Sequence, residues 1–80
     1  MEDLQKADKV LDCKGLLCPM PLIKTTKAIK EIQIGQILAI LATDPGVKPD
    51  MEAWTRRSRH ELVSSEQQGE VYRFLVRRTQ

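Results

Sequence analysis

The run Ile37-Leu38-Ala39-Ile40-Leu41-Ala42 constrains this chain more than any other segment. Successive side chains of a strand point to opposite faces. Here both sets are apolar: Ile37, Ala39 and Leu41 on one, Leu38, Ile40 and Ala42 on the other. A strand predicted over 36–43 with that pattern fits the centre of a sheet. Eighty residues supply one core around it and no second. A domain of that size buries only about 60% of its unfolded surface, and few residues remain to wall a deep pocket. Chemistry is therefore expected at the surface, with a partner completing the site.

The flanking segments complete the pattern. Residues 10–13 predict a first strand, ended by Lys14-Gly15. A helix is predicted from Pro19 to Gly35, because Leu22, Thr26, Ile29 and Ile32 recur at helical spacing and Ile23 widens the stripe. Lys24, Lys27, Lys30 and Glu31 fall opposite. Asp44-Pro45-Gly46 signals a turn. Val47, Met51 and Trp54 then mark a second helix to about Arg59, which admits Pro49 only in its first turn. Residues 61–66 predict a third strand and Gln67-Gln68-Gly69-Glu70 a hairpin turn. The last strand, over 71–78, places Tyr72, Phe74 and Val76 on one face and Arg73 and Arg77 on the other. The order β-α-β-α-β-β predicts an α+β fold: a two-layer sandwich with a mixed four-stranded sheet and both helices on one face. Residues 1–8 read as a flexible N-terminus and 9–80 as a single domain.

Composition narrows the function. No apolar run approaches the ~20 residues that span a bilayer, and Met1-Glu2-Asp3-Leu4-Gln5-Lys6 lacks the apolar centre of a secretory signal. A cytoplasmic protein with no membrane partner is expected. The net charge of +2 is too small to argue for nucleic acid. Arg56, Arg57 and Arg59 cluster, as do Arg73, Arg77 and Arg78, and both a solvated face and a docking patch for an acidic protein or RNA stay open. Three aromatic residues leave little for base stacking, so direct nucleic-acid binding is not expected. Two cysteines and one histidine are too few for a structural zinc site. No glycine-rich phosphate loop occurs, so no cofactor is predicted. His60 reads as a boundary residue at the end of the second helix, and Asp44 as a turn residue.

The informative segment is Gly15-Leu16-Leu17-Cys18-Pro19-Met20-Pro21. Proline is favoured as the first helical residue, where its missing N–H costs nothing; with Pro19 there, Cys18 becomes the cap residue. Pro19 and Pro21 stiffen the backbone around the sulfur. The positive end of the helix dipole lowers a thiol's pKa, but the prolines leave only Met20 as a first-turn donor, so mild activation is expected. Ser, Thr or Asp would cap better than cysteine, which favours a functional Cys18 over a merely buried one. Leu17 and Lys24 are candidate docking residues beside it, although the leucines could equally finish the core. Cys13 reads either as a core residue or as a resolving thiol in a disulfide switch with Cys18.

The stretch from Asp12 to Pro21 resembles the signature of the TusA (SirA-like) sulfur carriers, whose centre is Cys-Pro-x-Pro. The likeness continues through Leu22-Ile23-Lys24, Thr43-Asp44-Pro45-Gly46, Ala53-Trp54 and His60-Glu61-Leu62 into Tyr72-Arg73-Phe74, over residues 9–78. It implies a fold akin to the C-terminal domain of bacterial initiation factor three. It also implies sulfurtransferase chemistry in which Cys18 receives sulfane sulfur as a persulfide. Donors would be a cysteine desulfurase or a rhodanese. Acceptors would be DsrE- or TusD-like proteins, in tRNA thiolation or in dissimilatory sulfur metabolism. Many members carry a cysteine after the tryptophan, where this chain has Thr55, and alanine where it has Cys13.

Overall fold

A computed structural model describes residues 7–80. The elements are β1 (Lys9–Cys13), α1 (Met20–Ala28) continued by a 3-10 turn (Ile29–Glu31), β2 (Ile37–Ala42), α2 (Val47–Ser58), β3 (Glu61–Gln68) and β4 (Val71–Arg77). The strand order is β1-β2-β4-β3. β1 and β2 are parallel, whereas β4 runs antiparallel to both β2 and β3. The apolar segment therefore lies centrally, between β1 and β4, as its two-sided pattern predicts. Both helices pack on one face, and the shortest extent of the molecule, 17 Å, is that of one sheet and one helical layer.

Leu38, Ile40 and Ala42 of β2 point toward the helices and are fully buried. Phe74 and Val76 lie opposite Ile40 and Leu38 in register and are buried with them. Val47, Met51 and Trp54 of α2 close over this layer, the spacing predicted for them. Removing a side chain the size of Phe74 or Leu38 from water stabilises by about 1.5–3 kcal/mol each. A bulge between Leu62 and Ser64 shifts the β3–β4 register. The hairpin is tighter than predicted, because β3 continues to Gln68 and Gly69 turns the chain with φ +62°.

α1 departs from its predicted position in two ways. Ile29 and Ile32 are buried and Leu22 packs on the core as predicted, but Pro21, Thr25 and Ala28 join the buried stripe, while Ile23 faces solvent and Thr26 is exposed. Thr25 tolerates complete burial because its hydroxyl donates to the Pro21 carbonyl at 2.7 Å. The α-helix also ends at Ala28, and the 3-10 turn carries the chain on toward Gly35, whose φ of +93° reverses its direction. At the other end, Asp8 extends the β1 pairing: its N–H donates to the Ile37 carbonyl and its carboxylate accepts the Ile37 N–H, both at 2.8 Å. Residue 8 is thus tied to β2, and residues 1–6 of the expected flexible segment lie outside the described residues.

Candidate functional site

β1 and β2 are parallel neighbours, so the loops that leave their C-terminal ends lie side by side, each leading into a helix. Ligand sites in open α/β sheets tend to form in that position. One loop is 14–19, ahead of α1; the other is 43–46, ahead of α2. Two long-range hydrogen bonds sew them together, and a third ties the first loop to α2. The Gly15 N–H donates to Thr43 Oγ1 at 2.9 Å, the Cys18 N–H donates to Asp44 Oδ2 at 2.8 Å, and the Cys18 thiol donates to Asp50 Oδ2 at 2.8 Å. Asp44 does more than turn the chain: its other oxygen accepts the Gly46 N–H at 3.2 Å. The acid is shared between the two loops. Thr43 also contributes, with Pro45, Gln67, Gly69, Glu70 and Tyr72, to an adjacent groove of about 450 Å³.

Cys18 is exposed and carries a free thiol. It stands one residue further out than predicted: Pro19 occupies the cap position, α1 begins at Met20, and the Cys18–Pro19 peptide bond is cis. Pro21 is buried in the core and anchors the start of the helix. The neighbours divide. Leu16 packs against the core, whereas Leu17 is 73% exposed, Met20 41% and Ile23 54%. Lys24 is exposed on the same side of α1. Cys13 is fully buried, opposite Ala42 in the β1–β2 register. The core-packing reading fits this environment, and the two thiols are unbonded.

The electrostatics overturn one expectation. The Cys18 thiol is pushed above the ordinary thiol value, first by the hydrogen bond it donates to Asp50, then by partial desolvation and by the negative charges of Asp50 and Asp44. The predicted lowering needs first-turn N–H groups aimed at the sulfur. Pro19 and Pro21 have none, and the Met20 N–H donates instead to the Leu17 carbonyl at 2.9 Å. The helix dipole is left without the donors that usually deliver it, and two carboxylates decide the sign. Burial likewise pushes the Cys13 thiol up, with Lys24 opposing and Asp12 adding to the shift.

Asp50 escapes a reading confined to local pattern. The signal that could reveal it is topological: two helices that start above neighbouring parallel strands place their first turns together. His60 lies at the opposite end of α2, its ring 5.6 Å from the Trp54 indole, and takes no part in the site. Among the described residues no cluster of His, Cys, Asp and Glu is suited to hold a metal ion. No helix among them is long and apolar enough to cross a membrane.

Fold and site together define a class: a two-layer α+β domain that presents one thiol at the head of its first helix, inside a Cys-Pro-x-Pro segment. Residues 9–78 match the family described as sulfurtransferase TusA, and the chain belongs to that family. It is 35% identical over 72 residues to the sulfur carrier protein TusA of Allochromatium vinosum, a match covering 90% of this chain and 95% of that one. It is 45% identical over 73 residues to YrkI of Bacillus subtilis, covering 91% and 97% respectively. The fold is that of a SirA-like protein from Desulfitobacterium hafniense, with a TM-score of 0.77 over 90% of this chain and 99% of the other, at 18% identity.

Proposed function

We propose that the protein is a sulfur carrier that takes up sulfane sulfur as a persulfide on Cys18 and delivers it to an acceptor protein. The observation that carries this reading is a free, exposed thiol at the head of α1, surrounded by solvent-facing apolar side chains. In loading, the Cys18 sulfur attacks the terminal sulfur of a donor persulfide. The donor S–S bond breaks, its electron pair leaves with the donor sulfur, and the Cys18 proton ends on that sulfur as a thiol. In unloading, an acceptor thiolate attacks the terminal sulfur and Cys18 departs as the leaving group. No net oxidant is consumed, which suits a relay with no cofactor.

Family membership supports a cysteine desulfurase or rhodanese as donor and a DsrE- or TusD-like protein as acceptor, in tRNA thiolation or dissimilatory sulfur metabolism. We take 9–80 as one functional unit and place it in the cytoplasm, where an exposed thiol persists unpaired. Leu17, Met20 and Ile23 form the apolar part of the docking surface, with Lys24 to attract acidic partners.

The test is intact mass after incubation with a desulfurase and cysteine, or with a rhodanese and thiosulfate. A gain of one sulfur atom, removed by dithiothreitol and absent from Cys18→Ala, is the expected result. Wild-type protein that gains no sulfur from either donor refutes the reading.

A further inference from the structure

The carrier thiol is paired with a carboxylate that no local motif announces. Asp50 lies in the first turn of α2, and its Oδ2 accepts the hydrogen bond from Cys18 at 2.8 Å across the seam between the two loops. Asp44 braces the same residue from its backbone side, accepting the Cys18 N–H, so the sulfur is held toward Asp50 by a fixed main chain. We propose that Asp50 is the positioning residue of the carrier sulfur: it holds the empty Cys18 as a hydrogen-bonded thiol and lets go of it once a second sulfur atom is attached. This inference rests on the persulfide reading above.

The physical reason lies in where the proton sits. In the empty protein Cys18 Sγ bears the hydrogen that Asp50 accepts, and ionising the thiol would set a thiolate against a carboxylate at hydrogen-bonding distance. In the loaded protein Sγ is bonded to sulfur and has no hydrogen to donate. The acidic atom becomes the terminal sulfur, about 2 Å further out. The bond to Asp50 is lost, and the charges of Asp50 and Asp44 repel the persulfide anion away from α2, toward solvent and an incoming acceptor. The charged groups that act on the thiol are Asp50 on α2 and Asp44 in the turn before it; Lys24 of α1 acts on Cys13 instead. The upward push on the Cys18 thiol has the same sense as this geometry. The arrangement keeps most of the empty cysteine protonated, so that it loads through a small thiolate fraction, and it frees the sulfur once loaded.

The experiment is the pH profile of Cys18 alkylation by iodoacetamide in a Cys13→Ala background, for the otherwise native protein and for Asp50→Asn, which keeps the side-chain shape and removes the charge. The expected result is a thiol inflection shifted to lower pH in Asp50→Asn, with alkylation at pH 7 severalfold faster. Asp50→Glu, which keeps the charge, should retain the higher inflection. If Asp50→Asn proves unfolded by circular dichroism, Asp50→Ser is read in its place. In persulfide-loaded protein the substitution should change the alkylation rate of the terminal sulfur far less. An unchanged profile overturns the proposal, and so does slower alkylation in Asp50→Asn, the result expected if Asp50 were a proton-accepting base. An effect as large on the persulfide as on the thiol overturns the claim that loading releases the contact. Sulfur uptake by the wild type is scored separately, and its failure counts against the carrier reading alone.

Discussion

Cys13 and Cys18 are five residues apart and live in opposite surroundings, one fully buried under α1 and the other exposed at its head. Native Cys13 keeps its proton to higher pH than the unfolded chain, whose thiol ionises near ~8.5. Above that pH the native state binds more protons than the unfolded one, so stability is fully present below about pH 8.5 and declines as pH rises through the native value. Urea unfolding of Cys18→Ala at a series of pH values from about 7 to 10 should show the midpoint falling at the alkaline end. Adding Cys13→Ala should flatten that fall while lowering stability by about 1–2 kcal/mol at neutral pH. Cys13→Ala alone should still take up sulfur; loss of uptake in that variant would establish Cys13 as a participating thiol.

At the scale of elements, the two helices and the chain end are fastened by side chains that face away from the site. The Trp54 indole N–H donates to Thr26 Oγ1 at 3.1 Å, joining α2 to α1. Thr26→Val keeps the volume and strips the indole of its acceptor, and should cost about 1 kcal/mol in chemical denaturation. At the same end His60 Nδ1 accepts the Thr79 N–H at 3.1 Å, which requires that nitrogen unprotonated. Burial, and after it the Arg78 charge, push the His60 pKa below its ordinary value. The unfolded chain therefore takes up the proton first on acidification. This contribution is present above about pH 6.5 and is lost as pH falls through the native value. His60→Gln should show a smaller drop in Tm between about pH 7 and pH 5 than the wild type. Equal drops would remove His60 from the account. On α1 the predicted stripe holds at Leu22, Ile29 and Ile32, while hydrophobicity alone favours Ile23 inside and the helix instead turns Pro21 and a self-satisfied Thr25 inward.

For the whole molecule the question is which surface a partner meets. Arg77 pairs with Glu61 at 3.1 Å, tying β4 to β3, and Arg78 donates to the carbonyls of Ile32 and Lys30. Arg77 and Arg78 thus serve the fold itself. Leu17 and Met20 flank Cys18 in the chain, and with Ile23 and Lys24 they are exposed at the head of α1. Leu17→Asp should leave Tm within about 0.5 kcal/mol equivalent, since an exposed side chain is replaced. The same variant should slow transfer to an acceptor severalfold. Lys24→Glu should slow transfer at low ionic strength, and the difference from wild type should shrink as salt is raised toward about 0.15 M, where the Debye length falls to ~8 Å. A Lys24→Glu effect independent of salt would assign that lysine a contact role in place of steering.

The order β-α-β-α-β-β, the central place of β2, the inward faces of α2 and β4, and an exposed Cys18 were legible in the chain alone. Each follows from periodicity or from proline and glycine chemistry acting over a few neighbouring residues. The inward place of Pro21 and Thr25 on α1, the place of Asp8 and the sign of the shift on Cys18 were settled only by tertiary structure. The hydrogen bond that decides the last of these joins residues 32 positions apart. It exists because parallel strands bring the first turns of two helices together, an adjacency that no short window of sequence contains.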